Sequence, residues 1–286
     1  MSNRPEITDA PILPPQAGPK AGAPALDKAN TKKAGESWVE TVKTIVYALL
    51  IAFVIRTFLF QPFNIPSGSM ENTLLVGDYL FVEKFAYGYS RYSFPFGIPP
   101  FPGRVFGSDP HRGDVVVFKM PNKDSPDYMK DFIKRVIGLP GDRVQMIGGQ
   151  LHLNGQAIPK VRAADYVTAD APCPMATDAG ADGFYHVPRY RETLPGGKSY
   201  YVLDCMPEGP SDNTPIYVVP PGHFFMMGDN RDNSADSRAD VGYVPAQDLE
   251  GRAVVLFFSI GDSAVWYEPW TWPGAIRFNR ILNIID

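Results

Sequence analysis

One long apolar run stands out from an otherwise mixed pattern of hydrophobic and polar positions. Residues 44–60 read TIVYALLIAFVIRTFLF and contain a single charge, Arg56. Extended back to Trp38 the run has 23 residues, about 35 Å as an α-helix, enough to span a hydrocarbon core of about 30 Å. Apolar side chains lie on every side of this helix, whereas a half-exposed helix has a polar face. We therefore predict a transmembrane anchor at 38–60, with a buried core helix as the alternative.

The segment before the anchor shows no apolar period. Residues 1–37 contain six prolines among Ala, Gly and Lys, so little apolar surface can offset the loss of chain entropy. We predict a disordered tail there. Lys28, Lys32, Lys33 and Lys43 precede the apolar run, whereas residues 57–83 contain no Lys or Arg. The positive-inside rule then places the tail in the cytoplasm and the residues after 60 outside it. The apolar run begins too late for a cleaved signal peptide, so we expect an uncleaved anchor.

Residues 61–286 alternate short apolar runs with turn signals, a pattern that predicts a mostly β domain. The runs are rich in Val, Ile, Phe and Tyr, and Asn154-Gly155 after one of them is a strong hairpin signal. The predicted strands are 79–84, 114–119, 132–137, 143–147, 150–153, 217–219, 223–227 and 252–259.

Two stretches interrupt this β pattern. Residues 88–113 are rich in aromatic side chains, Pro and Gly, and predict either a long loop packed on the domain or a surface that dips into a bilayer. Residues 161–215 are polar and predict a small β-rich insertion that contains Cys173 and Cys205.

Composition excludes some classes of function. The 286 residues carry a net charge of −4, which disfavours a nucleic-acid-binding protein. With 29 Pro and 26 Gly, the chain is typical of a loop-rich β protein rather than a helical bundle. Two cysteines cannot form a four-cysteine zinc site.

A serine-rich loop, PSGSM at 66–70, follows the anchor directly and offers a candidate nucleophile. A serine nucleophile needs a base. The four histidines lie in no distinctive pattern, and no Gly-x-Ser-x-Gly elbow surrounds a serine, so a histidine-based triad has no support. The Ser-x-x-Lys signature is also absent, because Asn72 stands three residues after Ser69.

Lysine can act as a base when burial keeps it neutral. Lys134 lies in the predicted strand 132–137, where a period of two places it on one face with Phe132 and Val136. The alternative is a lysine on a solvent-facing strand edge. The polar loop GDNRDNSADSR at 228–238 could bring a hydroxyl and an ion pair into a site, or form a solvated turn.

Four motifs in this order resemble those of bacterial type I signal peptidases. They are PSGSM at 66–70, RGDVVVFK at 112–119, IKRVIGLPGD at 133–142 and GDNRDNSADSR at 228–238, and the likeness extends from residue 38 to about residue 260. The chain departs from the family in having one membrane segment where some relatives have two, in Asn72 where Pro is frequent, and in both interrupting stretches. The resemblance implies an antiparallel β catalytic domain behind one N-terminal transmembrane helix, with no metal or organic cofactor.

The resemblance also assigns the chemistry. Ser69 would be the nucleophile and Lys134 the general base. The Ser69 backbone N–H and the Ser67 hydroxyl would form the oxyanion hole. Ser234 would hydrogen-bond the Lys134 amine and orient it.

Two further groups follow from the same resemblance. Asp236 and Arg238 would form an ion pair that supports the site. Shallow apolar pockets would accept the small residues at −1 and −3 of a cleavage site. The expected lining residues of these pockets are Ile65, Met70, Val117 and Ile133.

The function implied is that of an endopeptidase in the bacterial plasma membrane, which removes signal peptides from exported preproteins at Ala-x-Ala sites. Its partners would be those preproteins and the lipid bilayer. A dedicated processing peptidase with few substrates and a non-catalytic module that binds exported chains stay open as alternatives. A self-cleaving protease of the repressor type is disfavoured by the anchor.

Two expectations concern the outer regions of the domain. An extracytoplasmic location favours oxidation, so we predict a Cys173–Cys205 disulfide that stabilises the insertion without affecting catalysis. A C-terminal aromatic cluster with basic neighbours suits either a membrane interface or a patch packed on the β core. The cluster comprises Trp266, Tyr267, Trp270, Trp272 and Phe278, with Arg277 and Arg280 nearby.

Overall fold

The computed structural model describes Gly18 and residues 29–94, 97–98, 100–173, 179–265 and 267–286, without the side chains of residues 29–36. The chain divides into a helical unit that ends at Leu49 and a larger unit, Leu50–Asp286. Helix α1, Ala29–Val54, is followed by one π-helical turn, Ile55–Leu59. The stretch Ser37–Leu59 contains an 18-residue window with a mean hydropathy of 2.0 and is long and apolar enough to cross a membrane. Each end of this stretch lies one residue before the corresponding end of the predicted anchor, 38–60.

The helix begins at Ala29, inside the stretch 1–37 that we predicted to be disordered. The last proline before it is Pro24, and the residues that follow include Ala, Lys and Glu, which favour helix. The backbone therefore extends the anchor helix toward the N-terminus. Apart from Gly18, the rest of the predicted tail lies outside the described residues, and its disorder stays a prediction.

The described residues after Leu59 are mostly β, as predicted. The strands are β1 Phe60–Asn64, β2 Asp78–Glu83, β3 Val115–Lys119, β4 Asp131–Gly138, β5 Arg143–Ile147, β6 Gln150–Leu153, β7 Gln156–Ala157, β8 Lys160–Arg162, β9 Tyr166–Thr168, β10 Tyr185–Val187, β11 Arg189–Thr193, β12 Ser199–Leu203, β13 Tyr217–Val218, β14 His223–Met227, β15 Val244–Pro245 and β16 Leu249–Ser259. The 3₁₀ turns are Gly68–Met70, Lys84–Tyr87, Arg91–Ser93, Ala246–Asp248, Pro269–Thr271 and Phe278–Arg280, and a short helix α2 spans Trp272–Ala275.

The strands form four sheets, and neighbouring strands within each are antiparallel. The main sheet has seven strands in the order β1-β2-β16-β3-β4-β14-β15. A four-stranded sheet has the order β13-β5-β6-β7, a three-stranded sheet the order β12-β11-β8, and β9 pairs with β10. The antiparallel β fold class predicted from the sequence is confirmed.

All eight predicted strands are present, but β1 and the two-residue strands β7 and β15 were missed. Strand β1 is the longest of the three. Its apolar residues continue the pattern of the anchor, and Pro62 argues against a central strand. The structure resolves the conflict because β1 lies at the edge of the main sheet, where a proline is tolerated.

Alternation along the strands divides the core of the main sheet into two clusters. Val116 of β3 packs in one cluster with Val136 of β4, whereas Val117 packs in the other with Ile133. Opposite faces of a strand carry alternate side chains. The two residues between these positions on β4, Lys134 and Arg135, are both buried.

The stretch 88–113 is anchored to the domain by a half-buried guanidinium. Arg104 donates hydrogen bonds to the carbonyl oxygens of Tyr87, Gly88, Ala246 and Leu249. This supports the interpretation as a packed loop. Phe106 is nevertheless 85% exposed, and its contact with lipid stays a prediction.

The C-terminal aromatic residues are largely exposed. Trp270 is 73% exposed and Phe278 66%, while Trp266 lies outside the described residues. The basic neighbours bond to the domain instead, since Arg280 Nη2 lies 2.5 Å from Asp78 Oδ2. A membrane contact of this cluster also stays a prediction.

Candidate active site

Ser69 lies in the 3₁₀ turn Gly68–Met70, shortly after strand β1. Its side chain is buried. The Ser69 carbonyl oxygen accepts a hydrogen bond of 3.1 Å from the backbone N–H of Asn230. The backbone of the candidate nucleophile is therefore tied to the polar loop 228–238.

The strand pairing brings Lys134 to this serine. Lys134 lies on β4, paired with Val116 of β3, and its Nζ donates hydrogen bonds to Ser69 Oγ at 2.6 Å and to the Ile133 carbonyl oxygen at 3.0 Å. Its side chain is enclosed, with 3% of the residue exposed. The solvent-facing alternative is excluded.

Burial changes the acidity of this lysine. Because the surrounding protein desolvates the ammonium, the pKa of Lys134 falls from 10.5 to about 8, although the carboxylates of Asp236 and Asp229 oppose the change. A lysine with such a pKa has an appreciable neutral fraction at mildly alkaline pH. The amine can then accept a proton from a neighbouring hydroxyl.

The predicted ion pair is present in the polar loop. Arg238 Nη2 lies 2.8 Å from Asp236 Oδ2, and Arg238 Nε donates to Oδ1 at 3.0 Å. The Gly228 N–H also donates to Asp236 at 3.0 Å. Burial alone would raise the pKa of Asp236, but Arg238 and these N–H groups lower it below its usual value. The carboxylate is therefore a fixed negative charge behind the site.

The predicted hydrogen bond between Ser234 and the Lys134 amine does not form in this structure. The amine already has two acceptors, Ser69 Oγ and the Ile133 carbonyl. Ser234 Oγ is buried and has no hydrogen-bond partner among the described residues. Its hydroxyl instead packs beside Gly228, where an added Cβ would overlap it. Ser234 thus lies in the site without the contact that the resemblance implied.

Ser67 is exposed, and its hydroxyl makes no hydrogen bond with the described residues. Its backbone is extended, with φ −138° and ψ 152°, just before the turn that carries Ser69. The hydroxyl is therefore free to bind a ligand. Its role in an oxyanion hole stays a prediction.

An apolar cavity of about 150 Å³ lies beside the serine-bearing turn. Three of the four predicted pocket residues, Ile65, Val117 and Ile133, line it together. Met70 does not line it, because its side chain is fully buried in the core cluster beneath. The full lining is Phe63, Asn64, Ile65, Pro66, Val117, Asp131, Phe132 and Ile133.

A buried ion pair next to Lys134 was not predicted from the sequence. Arg135 is fully buried and binds both carboxylate oxygens of Asp229, at 2.9 and 2.7 Å. Its remaining nitrogen donates to the carbonyl oxygens of Gly113 and Asp286. In the sequence, the only indication of this ion pair was that Arg135 lies in the motif 133–142, which contains Lys134.

A second buried pair joins the insertion to the polar loop. Arg231 donates to both carboxylate oxygens of Glu192, at 2.8 and 2.6 Å, and the Tyr200 hydroxyl donates to the same carboxylate at 2.9 Å. Glu192 and Tyr200 belong to β11 and β12 of the insertion. No local pattern indicated this pair, because its members are 39 residues apart.

One acidic cluster has the residue types of a cation site. Carboxylate oxygens of Asp204, Asp212 and Asp232 lie within 4.8 Å of one another. Lys160 Nζ, however, lies 2.5 Å from Asp204 and supplies a positive charge from the protein itself.

Comparisons with known proteins identify the family of this chain. The family described as "Signal peptidase, peptidase S26" matches residues 38–258. Signal peptidase I of Rickettsia typhi is 38% identical over 275 residues, which cover 90% of this chain and 97% of the relative. Signal peptidase I of Rickettsia prowazekii is 38% identical over 257 residues, 84% of this chain and 91% of the relative. A solved signal peptidase I from Enterococcus faecalis V583 is 24% identical, with a TM-score of 0.28, and covers 51% of this chain and 97% of that chain.

These comparisons define a serine endopeptidase, and among the described residues it carries one N-terminal apolar helix long enough to span a membrane. More specifically, the chain belongs to the signal peptidase family, peptidase S26.

Proposed function

We propose that this protein removes signal peptides from exported preproteins at Ala-x-Ala sites, with Ser69 as nucleophile and Lys134 as general base. Membership of the family supports signal-peptide removal. The observation that carries the mechanism is the 2.6 Å contact between a buried Lys134 Nζ and Ser69 Oγ.

The neutral Lys134 amine takes the hydroxyl proton as Ser69 Oγ attacks the scissile carbonyl carbon. The Ser69 N–H and the Ser67 hydroxyl stabilise the resulting oxyanion. Lys134 then gives its proton to the leaving amine of the mature protein, and an acyl-enzyme on Ser69 is left. A water molecule, deprotonated by the same amine, hydrolyses this ester and regenerates the serine.

The cavity next to the turn supports a preference for small residues. Its volume of about 150 Å³ and its lining by Ile65, Val117 and Ile133 suit alanine-sized side chains at −1 and −3. Larger side chains would overlap the lining, and a pocket of this kind discriminates by about 1–3 kcal/mol per methylene.

The position of the site in the chain supports action at the membrane. Ser69 follows Phe60, the first residue after the span, by nine residues. The serine is therefore held close to the outer end of the anchor, where a signal peptide still embedded in the bilayer presents its cleavage site. We assign the N-terminus to the cytoplasm and the catalytic domain to the extracytoplasmic side, from the lysines that precede the anchor.

The test is cleavage of a purified preprotein with an Ala-x-Ala site by the full chain in detergent, with the cut identified by mass spectrometry. Wild type should cut after the second alanine. Ser69→Ala and Lys134→Ala should be inactive, and so should Lys134→Arg, because a guanidinium does not lose its proton.

Lys123→Ala is the matched control, since Lys123 is an exposed lysine away from the site. It should retain full activity. Wild-type activity in Lys134→Arg would overturn the role of lysine as base. Failure of folded wild type on several preproteins would favour a peptidase with few substrates or a binding module.

A further inference from the structure

The polar loop is bonded to the insertion on one edge. Leu203, at the end of β12, donates from its N–H to the Asp229 carbonyl at 2.9 Å, and its own carbonyl accepts from the Arg231 N–H at 3.0 Å. These bonds flank Asn230 and form a parallel bridge between Leu203 and Asn230. The insertion therefore serves as a neighbouring strand for this part of the loop.

The other edge of the same segment is bonded to the nucleophile. In an extended segment, successive backbone groups point in opposite directions. Accordingly, the Asn230 N–H points away from Leu203 and donates to the Ser69 carbonyl at 3.1 Å. Asn230 thus lies between the insertion and the turn that holds Ser69.

The Asn230 side chain bridges the same two regions. Its Nδ2 donates to the carbonyl oxygens of Gly68, at 3.2 Å, and Pro172, at 2.7 Å. Asn230 is completely buried, so its amide has no access to water in exchange for these carbonyl groups. A second amide, Asn233 Nδ2, also donates to Pro172, at 3.0 Å.

The predicted disulfide lies next to Asn230. Cys173, which follows Pro172, is bonded to Cys205, and Cys205 lies two residues after Leu203. Cys205 Sγ lies 3.9 Å from Asn230 Oδ1. The expectation that the disulfide would not affect catalysis stays a prediction, and this contact argues against it. The bond joins the two insertion segments that contact Asn230.

We infer that Asn230 is a positioning residue for Ser69 and that the Cys173–Cys205 disulfide acts through it. The disulfide holds the Pro172 carbonyl and the strand that ends at Leu203 in place around Asn230. Asn230 in turn holds the backbone of Gly68 and Ser69 in place. This keeps the Ser69 hydroxyl within hydrogen-bond distance of Lys134. The inference rests on the proposed function of Ser69. Nothing in it requires Asn230 to touch substrate.

The experiment compares the full chain in detergent with Asn230→Ala, with Cys173→Ser/Cys205→Ser, and with the triple variant. A displacement of about 1 Å in a nucleophile costs about 100-fold in rate, so kcat of Asn230→Ala should fall about 10- to 100-fold. KM should change less than about twofold, and the pH midpoint should stay near 8, because substrate pocket and Lys134 are untouched. The double cysteine variant should lose about tenfold in kcat.

The triple variant separates positioning from general stability. If the disulfide acts through Asn230, the triple variant should be no slower than Asn230→Ala, because the two changes remove one coupled interaction. Asn213→Ala is the control, since Asn213 is an exposed insertion asparagine whose side chain accepts a hydrogen bond from Gly148. Its kcat should match wild type.

Hydrogen exchange supplies a readout that does not depend on activity. Amides of residues 68–72 should exchange faster in Asn230→Ala and in the double cysteine variant than in wild type. If the wild type is inactive, the proposed function is wrong. The hydrogen-exchange measurement would still test whether Asn230 positions the Ser69 backbone. Unchanged exchange in these residues, an unchanged kcat in Asn230→Ala, or fully additive losses in the triple variant would each overturn the inference.

Discussion

Lys134 Nζ lies 2.6 Å from Ser69 Oγ in a largely buried setting, with 3% of Lys134 and 7% of Ser69 exposed. The two residues are 65 positions apart and meet because the turn after β1 lies against β4. The burial that depresses the pKa of the lysine has a cost in stability whenever the amine is protonated. Catalysis and the folding free energy should therefore both benefit when the Lys134 amine loses its proton as pH rises.

Lys134→Met should stabilise the folded protein at neutral pH. The drop in the pKa of Lys134 from 10.5 to about 8 corresponds to about 3 kcal/mol of unfavourable free energy for the charged form. The unfolded chain binds the proton more tightly than the folded one, so the wild-type penalty is complete below pH 8 and disappears as pH rises to about 10.5. The stabilisation by Lys134→Met should shrink across the same interval.

Denaturant unfolding of both proteins at several pH values measures this difference. Lys123→Met, which changes an exposed lysine, should show no such dependence. An advantage for Lys134→Met that persists unchanged at high pH would mean that packing, and not charge, caused it.

Gly228→Ala should abolish cleavage while Gly274→Ala leaves it intact. A Cβ on Gly228 would stand 2.5 Å from the Ser69 carbonyl oxygen and overlap Ser234 Oγ, so the serine turn must shift. A Cβ on Gly274 meets nothing within 4 Å. The expected loss for Gly228→Ala is about 100-fold or more in kcat. Equal activity of the two variants would show that the turn tolerates displacement.

Glu192→Gln should destabilise the fold by about 3–5 kcal/mol, because it leaves the buried Arg231 guanidinium without its countercharge. Glu83→Gln is the matched control. Its partner Arg252 has a side chain 42% exposed, so we expect a loss of about 1 kcal/mol or less. Urea unfolding gives both values. Similar losses in the two variants would contradict the importance of burial for the Glu192 pair.

Ile133→Ala should widen substrate choice. The residue lines the apolar cavity of about 150 Å³, and a smaller side chain leaves room for residues larger than alanine at −1 or −3. The ratio of kcat/KM for a valine-containing site to that for an alanine-containing site should rise about tenfold. Ile285→Ala, which thins the same core cluster without lining the cavity, should leave the ratio unchanged. An equal change of this kcat/KM ratio in both variants would show that the cavity does not determine substrate specificity.

The local pattern of the chain was sufficient for most of the fold. The strand predicted at 132–137 is Asp131–Gly138, and the apolar run at 38–60 corresponds to the span Ser37–Leu59. Strand β1 was missed because its apolar residues merge with the anchor in sequence and separate from it only by pairing with β2. This pairing depends on the rest of the sheet, and the sequence of the five residues of β1 alone does not indicate it.

The candidate site was predictable where its residues sit in motifs and not where the insertion supplies them. Ser69, Lys134 and the Asp236–Arg238 pair lie in the four motifs and meet in space. Glu192 and the disulfide belong to the insertion, which matches no motif, and only tertiary structure brings them to the polar loop.

The pH dependence of signal-peptide cleavage tests the Ser69–Lys134 assignment most directly. We would measure kcat/KM of the full chain on one preprotein between about pH 6 and 10, with the fraction folded checked at each pH. Because only the neutral amine accepts the serine proton, the rate should rise about tenfold per pH unit below a midpoint near 8 and level off above it. A flat profile, or a midpoint near the ordinary lysine value, would contradict a buried Lys134 as the base.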